Sequence, residues 1–144
     1  MTIATDKKET GTSQRHRTLT ELDHARLSRL LERNPDDSPE ALADALDQSI
    51  LVPAPEVAPE VVTMYTRVRV EDTATGRSHV YTLCYPSDAE PAEGFVSVLS
   101  PVGAALLGAR IGEHVRFTRP DGGATELVLR AILFQPEATG DYTT

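Results

Sequence analysis

Pro53, Pro55 and Pro59 lie within seven residues and separate two stretches whose apolar residues recur at different intervals. A hydrophobic period that switches from helical to two calls for helices on one side of that boundary and strands on the other. Upstream, Thr18-Leu19-Thr20-Glu21 reads as a capping box that opens a helix. Leu19, Leu22, Leu27, Leu30 and Leu31 form its apolar side, interrupted by Arg26. Asn34-Pro35-Asp36-Asp37 supplies turn formers. Ser38 and Pro39 then read as N-cap and first residue of a second helix. Leu42, Ala45, Leu46, Ser49 and Ile50 make its stripe, with Glu40, Asp44 and Asp47 opposite. Two short helices joined by a tight turn are expected to pack antiparallel.

Downstream, Val62, Met64, Val68 and Val70 alternate with polar residues through Glu71, the pattern of a half-buried strand. Val80 to Tyr85 and Phe95 to Leu99 supply further strands, and Pro101 opens a brief helix that Gly108 stops. His114 to Arg119 and Thr125 to Phe134 read as a hairpin around Asp121-Gly122-Gly123. The expectation is an α+β chain with a disordered tail at 1–17, a helical hairpin at 18–52 and a linker at 53–60. An antiparallel sheet domain carrying one short helix follows at 61–144.

Charge narrows the function classes. The formal net charge of −8 divides into +2 for residues 1–17, −7 for 18–60 and −3 for 61–144. Sequence-specific or wrapping contact with nucleic acid is not expected without clustered Lys and Arg. The single cysteine, Cys84, forms no internal disulfide and suits a reducing cytoplasm. Residues 1–18 are polar throughout, so no signal-peptide core is expected there, and the longest apolar stretch, Pro101 to Ala109, is too short to span a bilayer.

Catalytic chemistry lacks the residues it would need. His16, His24, His79 and His114 are scattered, and no Cys or His pair has zinc-ligand spacing. Gly103 and Gly108 imitate a phosphate loop, but Ala109-Arg110 stands where Lys and Ser or Thr belong. Cys84 reads as a packed thiol. Asp36, Asp37 and Glu40 cluster at the tip of the helical hairpin. Acids there can simply favour the helix dipole and solvate the turn, or they can share a Mg²⁺ ion through oxygen ligands. Composition leaves both open. Ser100-Pro101-Val102-Gly103 likewise reads as a plain strand-to-helix connection or as a presented loop.

The run Ser100-Pro101-Val102-Gly103-Ala104-Ala105-Leu106-Leu107-Gly108, followed by Gly112-Glu113, strongly resembles the Gre-type transcription elongation factors. Val96-Ser97-Val98-Leu99 before it and the Pro-Asp-Gly-Gly turn after it keep the same order of elements. Val61-Val62-Thr63-Met64, Leu22-Asp23-x-x-Arg26-Leu27 and the segment from Gln135 to Tyr142 are similar to a short-hairpin member of the family. The likeness spans about residues 18–144.

The resemblance implies a short coiled coil followed by an FKBP-like domain. It implies docking at the rim of the RNA polymerase secondary channel through Ser100, Pro101, Val102 and Gly103, without a catalytic site of its own. The turn that Pro35 and Ser38-Pro39 force lets the helical stripes pair within one chain, so a monomer is expected. Long-hairpin members use tip carboxylates to help bind Mg²⁺ for cleavage of backtracked RNA. That role would fall here to Asp36, Asp37 or Glu40, with the metal shared with polymerase only if the tip reaches the active centre. A helix of 16 residues from Thr18 to Arg33 extends about 24 Å, short for that reach. A peptidyl-prolyl isomerase is the remaining class, from fold analogy alone.

Overall fold

The computed structural model describes residues 17–36 and 39–141. Strand β1 (Thr18–Thr20) leads into helix α1 (Glu21–Arg33), and helix α2 (Glu40–Gln48) returns to strand β2 (Ile50–Val52). The larger sheet contains β3 (Arg67–Asp72), β4 (Ser78–Cys84), β5 (Phe95–Ser97), β6 (His114–Thr118) and β7 (Ala124–Phe134). Helix α3 (Pro101–Leu106) lies between β5 and β6 in the chain. Strand order is β5-β4-β3-β7-β6.

The first helix starts two residues later than the capping box at Thr18 suggests. Thr18, Leu19 and Thr20 pair in parallel with Ile50, Leu51 and Val52. The true N-cap is Thr20, which keeps extended backbone and accepts a hydrogen bond from Asp23 N–H at 3.0 Å. Helix α1 therefore has 13 residues and a length of about 20 Å. Leu19 is fully buried, but as a strand residue. In α2, Pro39 occupies the N-cap position rather than the first helical turn, and Ser38 lies outside the described residues. Ser49 ends that helix, so Ile50 leaves the expected helical stripe and enters β2, where it is exposed.

Two further differences concern the sheet. Strand β5 runs parallel to β4, pairing Thr82 with Phe95 and Cys84 with Ser97, so the sheet is mixed rather than wholly antiparallel. The loop between them contains two 3₁₀ turns, Pro86–Asp88 and Pro91–Glu93, and is long enough to carry the chain back before it re-enters. Regular pairing in β3 begins only at Arg67. Ahead of it, Val61, Val62, Thr63, Met64 and Thr66 are all buried, without alternation. Val62 N–H donates to Ala109 O at 2.9 Å and Val62 O accepts from Gly108 N–H at 2.8 Å, so this stretch is covered by the segment after α3.

One apolar cluster joins these elements. Leu27, Leu42 and Leu46 of the helical hairpin are buried with Met64, Val68, Val70 and Leu83 of the sheet side and with Ala104, Leu106 and Leu107 at α3. His24 ties the two helices together through Nε2 and Leu46 O at 3.0 Å. The base of the hairpin is thus anchored in the core of the sheet.

Candidate functional site

The acidic tip is built by a helix stop. Asn34 N–H donates to Leu30 O and Leu31 O, and its side-chain amide donates to Leu30 O at 2.9 Å, closing the last turn of α1. Asp36 follows, exposed, and Glu40 is exposed at the first turn of α2. Asp37 lies outside the described residues. Among the described residues no three His, Cys, Asp or Glu side chains form a group that could hold a metal ion. Leu27 of α1 and Leu42 in the first turn of α2 are both fully buried, and Leu30 and Leu31 pack against the same cluster, so the hairpin is seated on the core along most of its length.

The loop at Ser100 has a definite architecture. Ser100 is the N-cap of α3: its hydroxyl accepts from Gly103 N–H at 3.1 Å and donates to Ser97 O at 2.6 Å. Pro101 occupies the first turn, where its missing N–H is not needed. Gly103 is buried, and an added Cβ there would lie 2.0 Å from Ser97 O. Ser100 and Gly103 therefore shape the loop, while Pro101 and Val102 are half-buried and Val102 packs against the apolar cluster. Val102 lines a groove of about 270 Å³ with Tyr81, Phe117, Leu127 and Arg119.

Several isolated residues fall where the sequence places them. Cys84 is buried and its thiol donates to Val96 O at 3.5 Å; burial pushes its pKa up. His79 stacks on Tyr81, and His114 pairs with Glu126, both at strand positions.

Asp23 is the residue whose importance the pattern hides. Its carboxylate is buried at the base of the hairpin and accepts from Met64 N–H at 3.2 Å. Burial pushes its pKa up to about 6, with the Glu137 carboxylate adding to the rise and Met64 N–H, Thr20 and Arg26 opposing it. Glu137 in turn accepts from Thr63 Oγ1 at 2.7 Å, and Gln135 Nε2 donates to Ala58 O and Val61 O. A signal was present in the sequence: Asp23 stands four residues before Leu27, on the face that must be buried.

Comparison with known proteins places these features together. Residues 57–132 match the family described as "Transcription elongation factor, GreA/GreB, C-term". The chain is 38% identical over 128 residues to the "Regulator of nucleoside diphosphate kinase" of Escherichia coli strain K12, covering 86% of this chain and 93% of that protein. It is 38% identical over 82 residues to the transcription elongation factor GreA of Solidesulfovibrio magneticus, covering 57% of this chain and 50% of that protein. Among solved structures, the prokaryotic transcription elongation factor GreA/GreB from Nitrosomonas europaea superposes with a TM-score of 0.69 at 30% identity, over 82% of this chain and 99% of that one.

Proposed function

The chain belongs to the GreA/GreB family of transcription elongation factors, and from that premise we propose that it is a non-enzymatic regulator that binds RNA polymerase. The FKBP-like sheet domain docks on the rim of the secondary channel through Pro101 and Val102. The short coiled coil of α1 and α2 enters the channel as a monomer and competes there with Gre factors. The observation that carries this reading is the overlap with a short relative, 93% of whose length the chain matches, where the GreA match spans only half of that protein. A first helix of only 13 residues, about 20 Å long, with Leu30 and Leu31 still packed on the core, supports occupancy of a channel rather than delivery of Mg²⁺ to its far end. The charge of −7 over residues 18–60 suits a basic channel wall. Any effect on nucleoside diphosphate kinase levels, the property in the relative's name, then runs indirectly through transcription in the cytoplasm.

Pro101→Asp tests the docking loop. Aspartate at the first turn of a helix is compatible with the dipole, so α3 and the fold are retained. The charge introduced beside Val102 is expected to weaken capture of core polymerase at least about tenfold, as for a residue at the centre of an interface. Equal capture of the parent and the variant in a pull-down would show that docking uses another surface.

A further inference from the structure

The segment from residue 18 to 60 contains three basic side chains, Arg26, Arg29 and Arg33, against ten acidic ones. All three line one cleft, of about 480 Å³, between α1 and the sheet. Their spacing of three and four residues sets them on one helix face, in a row about 10 Å long. Tyr65 and Tyr85 form the opposite wall, with ring centroids 5.8 Å apart and planes tilted by 55°. Leu30 and Pro86 add apolar surface. A like-charged row carries a repulsive cost, and no ion pair among the described residues engages Arg29 or Arg33.

The tyrosine wall is itself held in an unusual conformation. Tyr65 has φ of 66°, and no other non-glycine residue among those described has a positive φ. For a bulky side chain that geometry is strained and persists only where the surroundings impose it. Here Tyr65 N–H donates to Leu83 O at 2.6 Å and its hydroxyl donates to Asp88, which fixes the ring against the cleft. Strain of this kind concentrates at ligand sites. The cleft volume also falls within the range of small-molecule sites.

From this arrangement we propose that the cleft binds a free nucleotide carrying more than one phosphoryl group. Guanidinium groups take phosphate oxygens in forked pairs, and a row about 10 Å long is longer than a single phosphate can span. Aromatic rings opposite a cationic row suit a base, which stacks on tyrosine at little cost in side-chain freedom. The cleft shares no residue with the Val102 groove proposed for docking, and binding to the free chain is the property proposed for it.

Calorimetric titration of the full chain at low salt with ADP, adenosine, tripolyphosphate and a short single-stranded RNA tests the assignment. ADP is expected to bind one to one with a Kd below about 1 mM, and adenosine at least about tenfold more weakly. The double variant Arg29→Glu/Arg33→Glu is expected to lose about tenfold or more in ADP affinity, while Arg130→Glu, on the far strand β7, leaves it unchanged. Both helix positions are exposed, so unchanged circular dichroism will accompany the loss. The proposal is overturned by absence of ADP binding, or by equal ADP binding to the parent and the double variant. Tripolyphosphate binding as tightly as ADP, or RNA displacing ADP from the same arginines, overturns the nucleotide assignment.

Discussion

Gly103→Ala is expected to lower the free energy of unfolding by about 3 kcal/mol or more, a larger loss than typical overpacking produces. The methyl group would stand 2.0 Å from Ser97 O, 2.8 Å from Ser97 C and 3.0 Å from Val98 Cα. All three are backbone atoms of the segment that leads from β5 into the Ser100 cap, so no side chain can swing aside. Relief requires α3 to move away from that segment. Moving it breaks the Ser100 cap and separates Ala104, Leu106 and Leu107 from the cluster they share with Leu27 and Leu46. Chemical denaturation reads the loss directly. Gly76→Asn is the control: nothing lies within 4 Å of its added Cβ, and asparagine tolerates the left-handed φ of 75° there. A change of about 1 kcal/mol or less is expected for it. If the two variants behave alike, α3 is not packed as described.

Asp23 supplies the second large effect. Its folded pKa of about 6 stands above the ordinary 3.8, so the native state holds the carboxyl proton more tightly than the unfolded chain does. The contribution to stability is complete below about pH 3.8, declines between 3.8 and 6, and is absent above pH 6. The shift corresponds to about 3 kcal/mol between those limits. Asp23→Asn keeps a carbonyl to accept Met64 N–H and removes the charge that burial penalises. At pH 7.5 the variant is expected to be more stable than the parent by up to about 3 kcal/mol, a rise in Tm on the order of 10 °C. At pH 4 the two should nearly coincide. Thermal melts across this range check the sign, and parallel pH profiles for parent and variant would contradict it. A buried acid that weakens the hinge at neutral pH is placed where the hairpin meets the sheet, so this variant also reports how firmly the hairpin is set.

Much of the fold is legible because it depends on local pattern. The change of period at Pro53 to Pro59, the Pro101 start of α3, and the turn at Asp121-Gly122-Gly123 all follow from neighbouring residues. What escapes is built by pairing across the chain. Thr18–Thr20 and Ile50–Val52 continue helical patterns in sequence, yet they meet as parallel strands because each completes the other's backbone hydrogen bonds. Val61 to Thr66 looks like an alternating strand until the segment after α3 covers its second face. The family motif around Pro101 marks a loop, but only the packing shows that Ser100 and Gly103 shape it while Pro101 and Val102 stay half-buried beside them. Asp23 and the arginine cleft are hardest to see, since each draws on residues about forty or more positions apart.

The proposed regulator occupies the polymerase channel without cleaving RNA. Backtracked elongation complexes, given the chain alone and then the chain titrated against a cleavage-active Gre factor, measure both halves of that statement. No shortened RNA is expected from the chain alone, and Gre-stimulated cleavage is expected to be progressively suppressed as the chain is added. Shortened RNA from the chain alone, or undiminished Gre cleavage at a saturating concentration of the chain, would contradict it.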